Sequence, residues 1–297
     1  MNRVIAFSRL VLIYILIVSA CQGAFGEEQK QDLSSLKNVG EVLEYGMYWG
    51  CIPIGSATVS SSWTNFNGKP VVSLRFSSKT GNIFAAVYPV EDNVLSLVEP
   101  VALKSLWFNK QLSRRGRSCD ETIVFDRDRN EAFWSASVTG VAEKVKITPD
   151  TRDLVAFVYN LRVAGLASDT VYTNHFISSS SVSPIVLACG KSESVELDEY
   201  GEVQSLRINP ALMYRGVMKD KGRVTVWISE DLRHVCTKVV IDAPLANVKV
   251  LLKSVKGPGA DFWIRKAEEK YQAEHTNSVT ASLPLSTSLK PAQTAVP

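Results

Sequence analysis

Three histidines, His175, His234 and His275, stand in the 297 residues, so chemistry that needs an imidazole has few places to be. His234 has the neighbours that matter. Ser229, Asp231 and Cys236 lie within five residues of it, and these supply the hydroxyl, carboxylate and thiol from which Ser-His-Asp or Cys-His catalysts are built. The same spacing also suits a solvated strand end. No G-x-S-x-G elbow, H-E-x-x-H pair, P-loop or G-x-G-x-x-G turn accompanies it. The favoured reading is non-enzymatic, with Ser229, Asp231 and His234 as the least improbable site of a hydrolase.

Arg162 ends a segment that is otherwise apolar. A cation there suits the negative end of a helix dipole, and it is expected to pair with a carboxylate such as Asp231 or Glu41. An anion clamp is the alternative. Trp49, Trp63, Trp107, Trp134 and Trp227 fall in β-rich runs, which usually means core. If several line the concave side of a curled sheet, they make an apolar cleft instead. Arg162, Trp49, Trp227 and Tyr159 are thus the candidate ligand-binding residues.

Asp126, Asp128 and Asn130 have the alternation of a calcium loop, but Glu131 stands where glycine is needed and Ser137 where the bidentate carboxylate should be. They are expected to form a hairpin turn. Arg114, Arg115 and Arg117 are weakened as an anion site by Asp120 and Glu121 and read as a charged strand end. No metal and no cofactor is expected.

Cys51, Cys119, Cys189 and Cys236 remain once the leader is removed. An even number in an oxidising compartment points to two disulfides with three pairings open; buried free thiols are the alternative. No CxxC pair suggests zinc.

The compartment is read from the N-terminus. Arg3 and Arg9 precede an unbroken apolar run over 10–18, the n-region and h-region of a signal peptide and too short for a spanning helix. Two cleavage patterns overlap: one before Cys21, which would then carry lipid, and one after Gly26, which would release a free protein. The chain carries 33 basic and 30 acidic residues, and loss of Arg3 and Arg9 leaves a charge near neutral, without the basic footprint of a nucleic-acid binder. With 45% hydrophobic residues the remainder can bury a real core.

Positioning falls to a mainly β chain. Alternation predicts strands near 42–49, 57–63, 71–76, 93–97, 102–109, 117–126, 132–139, 144–147, 171–177, 185–189, 194–197, 203–208, 223–229, 236–242 and 247–255, with Pro53 and Gly55 breaking the first run. One internal helix is expected from Asp150 as N-cap, with Asp153 in its first turn, through Val163 to Gly165. It is apolar almost all round and so buried. The expected architecture is one large curled antiparallel sheet, half-barrel-like, wrapped around that single buried helix, plus a short C-terminal helix. The divisions are a signal peptide over 1–26, a flexible lead-in over 27–38, one β-rich domain over 39–257, the helix over 260–275 and a disordered tail over 276–297.

The stretch Gly40-Glu41-Val42-Leu43-Glu44-Tyr45, then Trp49-Gly50, Ile52-Pro53, Gly55 and Ala57, resembles the opening of the bacterial family called domain of unknown function 3108. Asp153-Leu154 with Tyr159-Asn160-Leu161-Arg162, and Gly222 followed by Val226-Trp227-Ile228-Ser229-Glu230-Asp231, fit in order and spacing. The chain departs at Cys236, where the pattern implies proline, and this adds weight to a disulfide there. The resemblance implies an exported protein of Gram-negative-type bacteria and no defined activity. The expected function is a binding module of the periplasm or outer membrane for a hydrophobic or envelope-derived ligand or a partner protein. A periplasmic hydrolase of cell-wall or lipid substrates and an outer-membrane scaffold tethered through Cys21 are the alternatives.

Overall fold

The computed structural model describes residues 37–86, 88–114, 116–214, 217–219, 224–242 and 246–281. The leader, Cys21, Arg115 and the tail beyond 281 lie outside the described residues.

Alternation organises the chain from the start. In β1 (Val42–Trp49) Leu43, Tyr45 and Met47 point inward on every second position, the period of a half-buried strand. It is followed by β2 (Ile52–Phe66), β3 (Lys69–Thr80), a one-turn helix α1 (Asn82–Ala85), β4 (Val90–Val98), β5 (Ser105–Arg114), β6 (Arg117–Asp126), β7 (Glu131–Ala136) and β8 (Val141–Lys146). After α2 (Leu154–Leu161) come β9 (Val171–Ser178), β10 (Ser181–Leu197), β11 (Gly201–Tyr214), β12 (Val217–Lys219), β13 (Val224–Ser229), β14 (Cys236–Ile241), β15 (Val248–Lys256) and α3 (Asp261–Ala281).

The strands form one antiparallel sheet in the order β8-β7-β6-β5-β4-β3-β2-β1-β15-β14-β13-β11-β10-β9, with β12 beside β11. It is not closed into a barrel; β8 and β9 are its edges. Most neighbours are sequence neighbours joined by tight turns. Asn67 and Gly68, at φ 51° and 78°, have the two positive values that a two-residue hairpin loop requires. Asp126 accepts the Arg129 N–H at 3.1 Å, so the 126–130 stretch is a turn. One core runs from Leu43, Leu74 and Val98 through Ile123 and Ala156 to Leu252 and Trp263.

Four expectations are corrected. Pro53 and Gly55 do not end a strand; both lie inside β2, where a Cβ on Gly55 would come 2.3 Å from the Lys79 carbonyl oxygen of β3. The two strands expected over 185–197 are one, β10, with an irregularity between Cys189 and Ser192. Helix α2 starts three residues late. Its N-cap is Asp153, which accepts the Val155 and Ala156 N–H groups, while Thr148, Asp150 and Thr151 tie off a separate turn. The C-terminal helix continues to Ala281, through part of the stretch expected to be disordered.

Five of the eight α2 residues, Val155, Ala156, Phe157, Tyr159 and Leu161, are buried, and the helix packs on β3, β4 and β9. Its capping carboxylate also accepts the Ser96 hydroxyl at 2.6 Å, while Ser105 accepts the Asp153 N–H at 2.8 Å. These bonds tie the helix start to β4 and β5.

Candidate functional site

Where α2 ends, a buried ionic cluster ties it to the lead into β1 and to the β13–β14 turn. Arg162 is the C-cap, and its guanidinium pairs through both Nη atoms with Glu41, the residue before β1. Arg162 Nε also donates to the carbonyls of Arg233 and His234 at 3.1 and 3.2 Å. Arg233 Nη2 reaches Glu41 Oε2 at 2.5 Å. Glu41 is 0% exposed and each arginine 3%. Burial pushes the Glu41 carboxyl up, but the charge and hydrogen bonds of Arg162 and Arg233 outweigh it and hold the carboxyl below its ordinary value. Burial lifts the neighbouring Tyr159 phenol well above its ordinary range, with the Glu41 charge adding to the rise.

The turn from β13 to β14 supplies the next layer. His234, in the left-handed region at φ 48°, has Nδ1 2.8 Å from the Arg162 carbonyl oxygen. A carbonyl can only accept, so Nδ1 carries a proton, and in the Nδ1–H tautomer Nε2 is the acceptor. Ser229 donates to Asp231 and accepts the Val235 N–H at 2.8 Å, and Asp231 accepts the Arg233 N–H at 3.2 Å. The three residues suggested for hydrolysis are therefore gathered in one turn. In place of an imidazole standing between hydroxyl and carboxylate, however, the serine meets the aspartate directly.

Beside this turn lies a pocket of about 290 Å³, lined by Leu161, Leu166, Ala167 and Ser168 after α2, Leu206 of β11, Ile228 and Ser229 of β13, and Glu230 and His234. That volume is at the lower bound of small-molecule sites, about 300–1,000 Å³. Its lining mixes aliphatic side chains with the polar groups of Ser168, Ser229, Glu230 and His234.

The model of the family described as "Protein of unknown function (DUF3108)" matches residues 44–253. The chain belongs to the DUF3108 family. No curated protein matches it. Among solved structures, the DUF3108 chain is similar to the "Beta-barrel-like Protein of Domain of Unknown Function DUF1849" from Brucella abortus, with a TM-score of 0.50 at 10% identity over 74% of this chain and 98% of that one. A DUF1089 family protein from Pseudomonas aeruginosa aligns at a TM-score of 0.30 and 9% identity, over 63% of this chain and 90% of its own. At such identities the first likeness is one of fold.

The remaining candidates of this DUF3108 chain are dispersed. Trp49 is half-buried and donates to the Ala246 carbonyl at 3.0 Å. Trp227 donates to Glu193 at 2.9 Å under the Lys238 ammonium, 4.4 Å from its ring centre. Trp134 donates to Glu121 at 2.9 Å, and Trp63 is 53% exposed. None of these, nor Tyr159 or Arg162, lines the pocket. Arg114 pairs with buried Asp92 at 3.0 Å.

The disulfide expectation is corrected: Cys51, Cys119, Cys189 and Cys236 are free. Cys51 lies in the β1–β2 turn, Cys119 on β6, Cys189 on β10 and Cys236 on β14. Cys189 and Cys236 are separated in the strand order by β11 and β13. Burial pushes the Cys236 thiol up to about 12, and burial together with the Glu121 carboxylate raises Cys119 to about 11. Both are poor nucleophiles.

Sequence reasoning named Glu41 as a partner for Arg162 and missed Arg233. A cation between Asp231 and His234 in a polar turn has no pattern that marks it as buried. The pocket was missed as well, because Leu161, Leu206 and Ile228 read as core in any periodicity argument.

Proposed function

We propose that this chain is an exported protein of the bacterial envelope that binds a small, largely apolar ligand beside the end of α2 and does no chemistry on it. The pocket carries the reading: Leu161, Leu166, Leu206 and Ile228 offer aliphatic contacts, and Ser229, Glu230 and His234 add polar groups to the same lining. The Glu41–Arg162–Arg233 cluster would act as its foundation. It joins the lead into β1, the end of α2 and the β13–β14 turn by hydrogen bonds that tolerate little displacement. In this reading the sheet curls around α2 as around a fixed post, and a lipid on Cys21 would be the only membrane tether.

The hydrolase alternative has one observation in its favour, since Ser229 and His234 line the same pocket. Ser229 is 2% exposed, however, and its proton is directed at Asp231, so the hydroxyl is a structural link of the turn. On the hydrolase alternative an esterase or amidase activity would be measurable and lost in His234→Ala; on the binding reading no turnover is expected from the wild type.

Native mass spectrometry of the full chain recovered from an envelope fraction tests the reading. A reproducible added mass, lost on denaturation and absent from Ala167→Trp, is expected. Ala167 is an exposed pocket residue, so an indole there fills the mouth without entering the core. A bare protein mass with an unblocked pocket would remove the carrier role.

A further inference from the structure

The polar side of the pocket offers acceptors and no fixed cation, and this restricts what fits. His234 Nδ1 is committed to the Arg162 carbonyl, so the tautomer that fits this bond presents a lone pair at Nε2. Glu230, exposed at the mouth, accepts the Ser192 hydroxyl through one carboxylate oxygen, and its other oxygen has no partner among the described residues. Ser168 and Ser229 add hydroxyls, with that of Ser229 already donated to Asp231.

Charge points the same way. Next to the pocket the guanidiniums of Arg162 and Arg233 are bonded to Glu41, Asp231 accepts the backbone N–H of Arg233, and Glu230 lines the pocket itself. The first two carboxylates are bonded to an arginine side chain or to the arginine turn, while Glu230 has no ion pair among the described residues. Leu161, the last residue of α2, is part of the lining, so the pocket also lies at the negative end of the helix dipole. An anionic head group would meet a carboxylate and an imidazole lone pair. A cationic one would meet two acceptors.

Resting on the binding reading above, we propose that the pocket selects a cationic amphiphile, with a primary ammonium group held by Glu230 and His234 Nε2 and a short aliphatic body packed on Leu161, Leu166, Leu206 and Ile228. The ammonium has three donors and no acceptor, which complements this set. A pocket of about 290 Å³ takes a small molecule of this kind or the end of a longer one.

Three probes of equal chain length, n-hexylammonium, n-hexanol and n-hexanoate, titrated into the full chain by isothermal calorimetry with ligand-observed NMR, test this. Hexylammonium is expected to bind roughly tenfold or more tighter than hexanoate, the scale of one charge-assisted contact. Glu230→Gln should erase that preference and leave hexanol binding in place, and Ala167→Trp should block all three; both changes are at exposed positions, and circular dichroism checks the fold. Equal binding of the three probes, all blocked by Ala167→Trp, would overturn the charge selection and keep the binding pocket. A preference that survives Glu230→Gln, or one for hexanoate, would overturn it too. Binding of none, or binding that Ala167→Trp leaves untouched, would overturn both readings.

Discussion

Glu41 stands between two guanidiniums with no access to water, so its worth to the fold depends on its charge. Removing one partner of a buried ion pair leaves the other uncompensated, at about 3–5 kcal/mol. Glu41→Gln keeps the size and removes the charge, and it is expected to cost an amount in that range, read as a shift in the urea midpoint. The exposed pair of Lys256 with Glu44, at 2.9 Å, is the control: Glu44→Gln should cost no more than about 1 kcal/mol. Acid should act through the same chemistry. Burial pushes Glu121 up, but the hydrogen bonds of Ser179, Cys119 and Trp134 and the charge of Lys110 take it down to about 2. A folded pKa below the unfolded value, about 4.3, means stability that is complete above that value and lost as pH falls through 2. Urea titrations of the wild type and Glu121→Gln should therefore differ most at neutral pH and converge near pH 2. A difference that persists there would assign the loss to packing.

At the scale of elements, the close pairing of β2 with β3 depends on one missing side chain. A Cβ on Gly55 would also meet Met47 Cε at 2.9 Å, and the backbone it strikes cannot rotate away. Gly55→Ala should cost about 1–3 kcal/mol and speed hydrogen exchange along the pairing that runs from Gly55 with Thr80 to Phe66 with Lys69, while Gly68→Ala, which meets nothing within 4 Å, would show only the strain of its turn. The same glycine shows where sequence reading stops. Alternation located nearly every strand, and β6 to the residue, because half-buried strands print their period directly. It read Gly55 and Pro53 as a break, because nothing local says that a neighbouring strand will demand a glycine. Asp150 was equally good as a cap by type. Arg152 decided the matter, since its backbone bridges Phe176 of β9 as a strand residue and keeps the helix from starting before Asp153. The Arg162–Glu41 contact was legible because an arginine ending an apolar helix needs a partner. The pocket was not, because a cavity is a property of how five elements fail to fill space.

An open sheet has two edges, and the whole molecule must keep both from pairing with other copies. The β9 edge is partly occupied: the Arg152 N–H donates to the His175 carbonyl at 3.1 Å, and the Ile177 N–H to the Arg152 carbonyl at 3.0 Å. β8 has no such hydrogen-bonded cover among its described pairings, which are all with β7, although β10 approaches it. Its protection is chemical, since five of its six residues are exposed and it carries Glu143, Lys144 and Lys146. Charged side chains on an edge make stacking a second edge unfavourable, by like-charge repulsion and by desolvation. Lys144→Thr with Lys146→Val keeps β propensity and removes two charges from surface positions, so the midpoint of urea unfolding should move little. Self-association should rise with concentration, visible by light scattering and analytical ultracentrifugation at neutral pH. The matching change on a paired strand, Lys238→Thr in β14, should leave the association state of the wild type unchanged. If the double variant stays monomeric at concentrations where the wild type does, geometry rather than charge protects the β8 edge, and the curl of the sheet has turned its free hydrogen-bonding groups away from solvent.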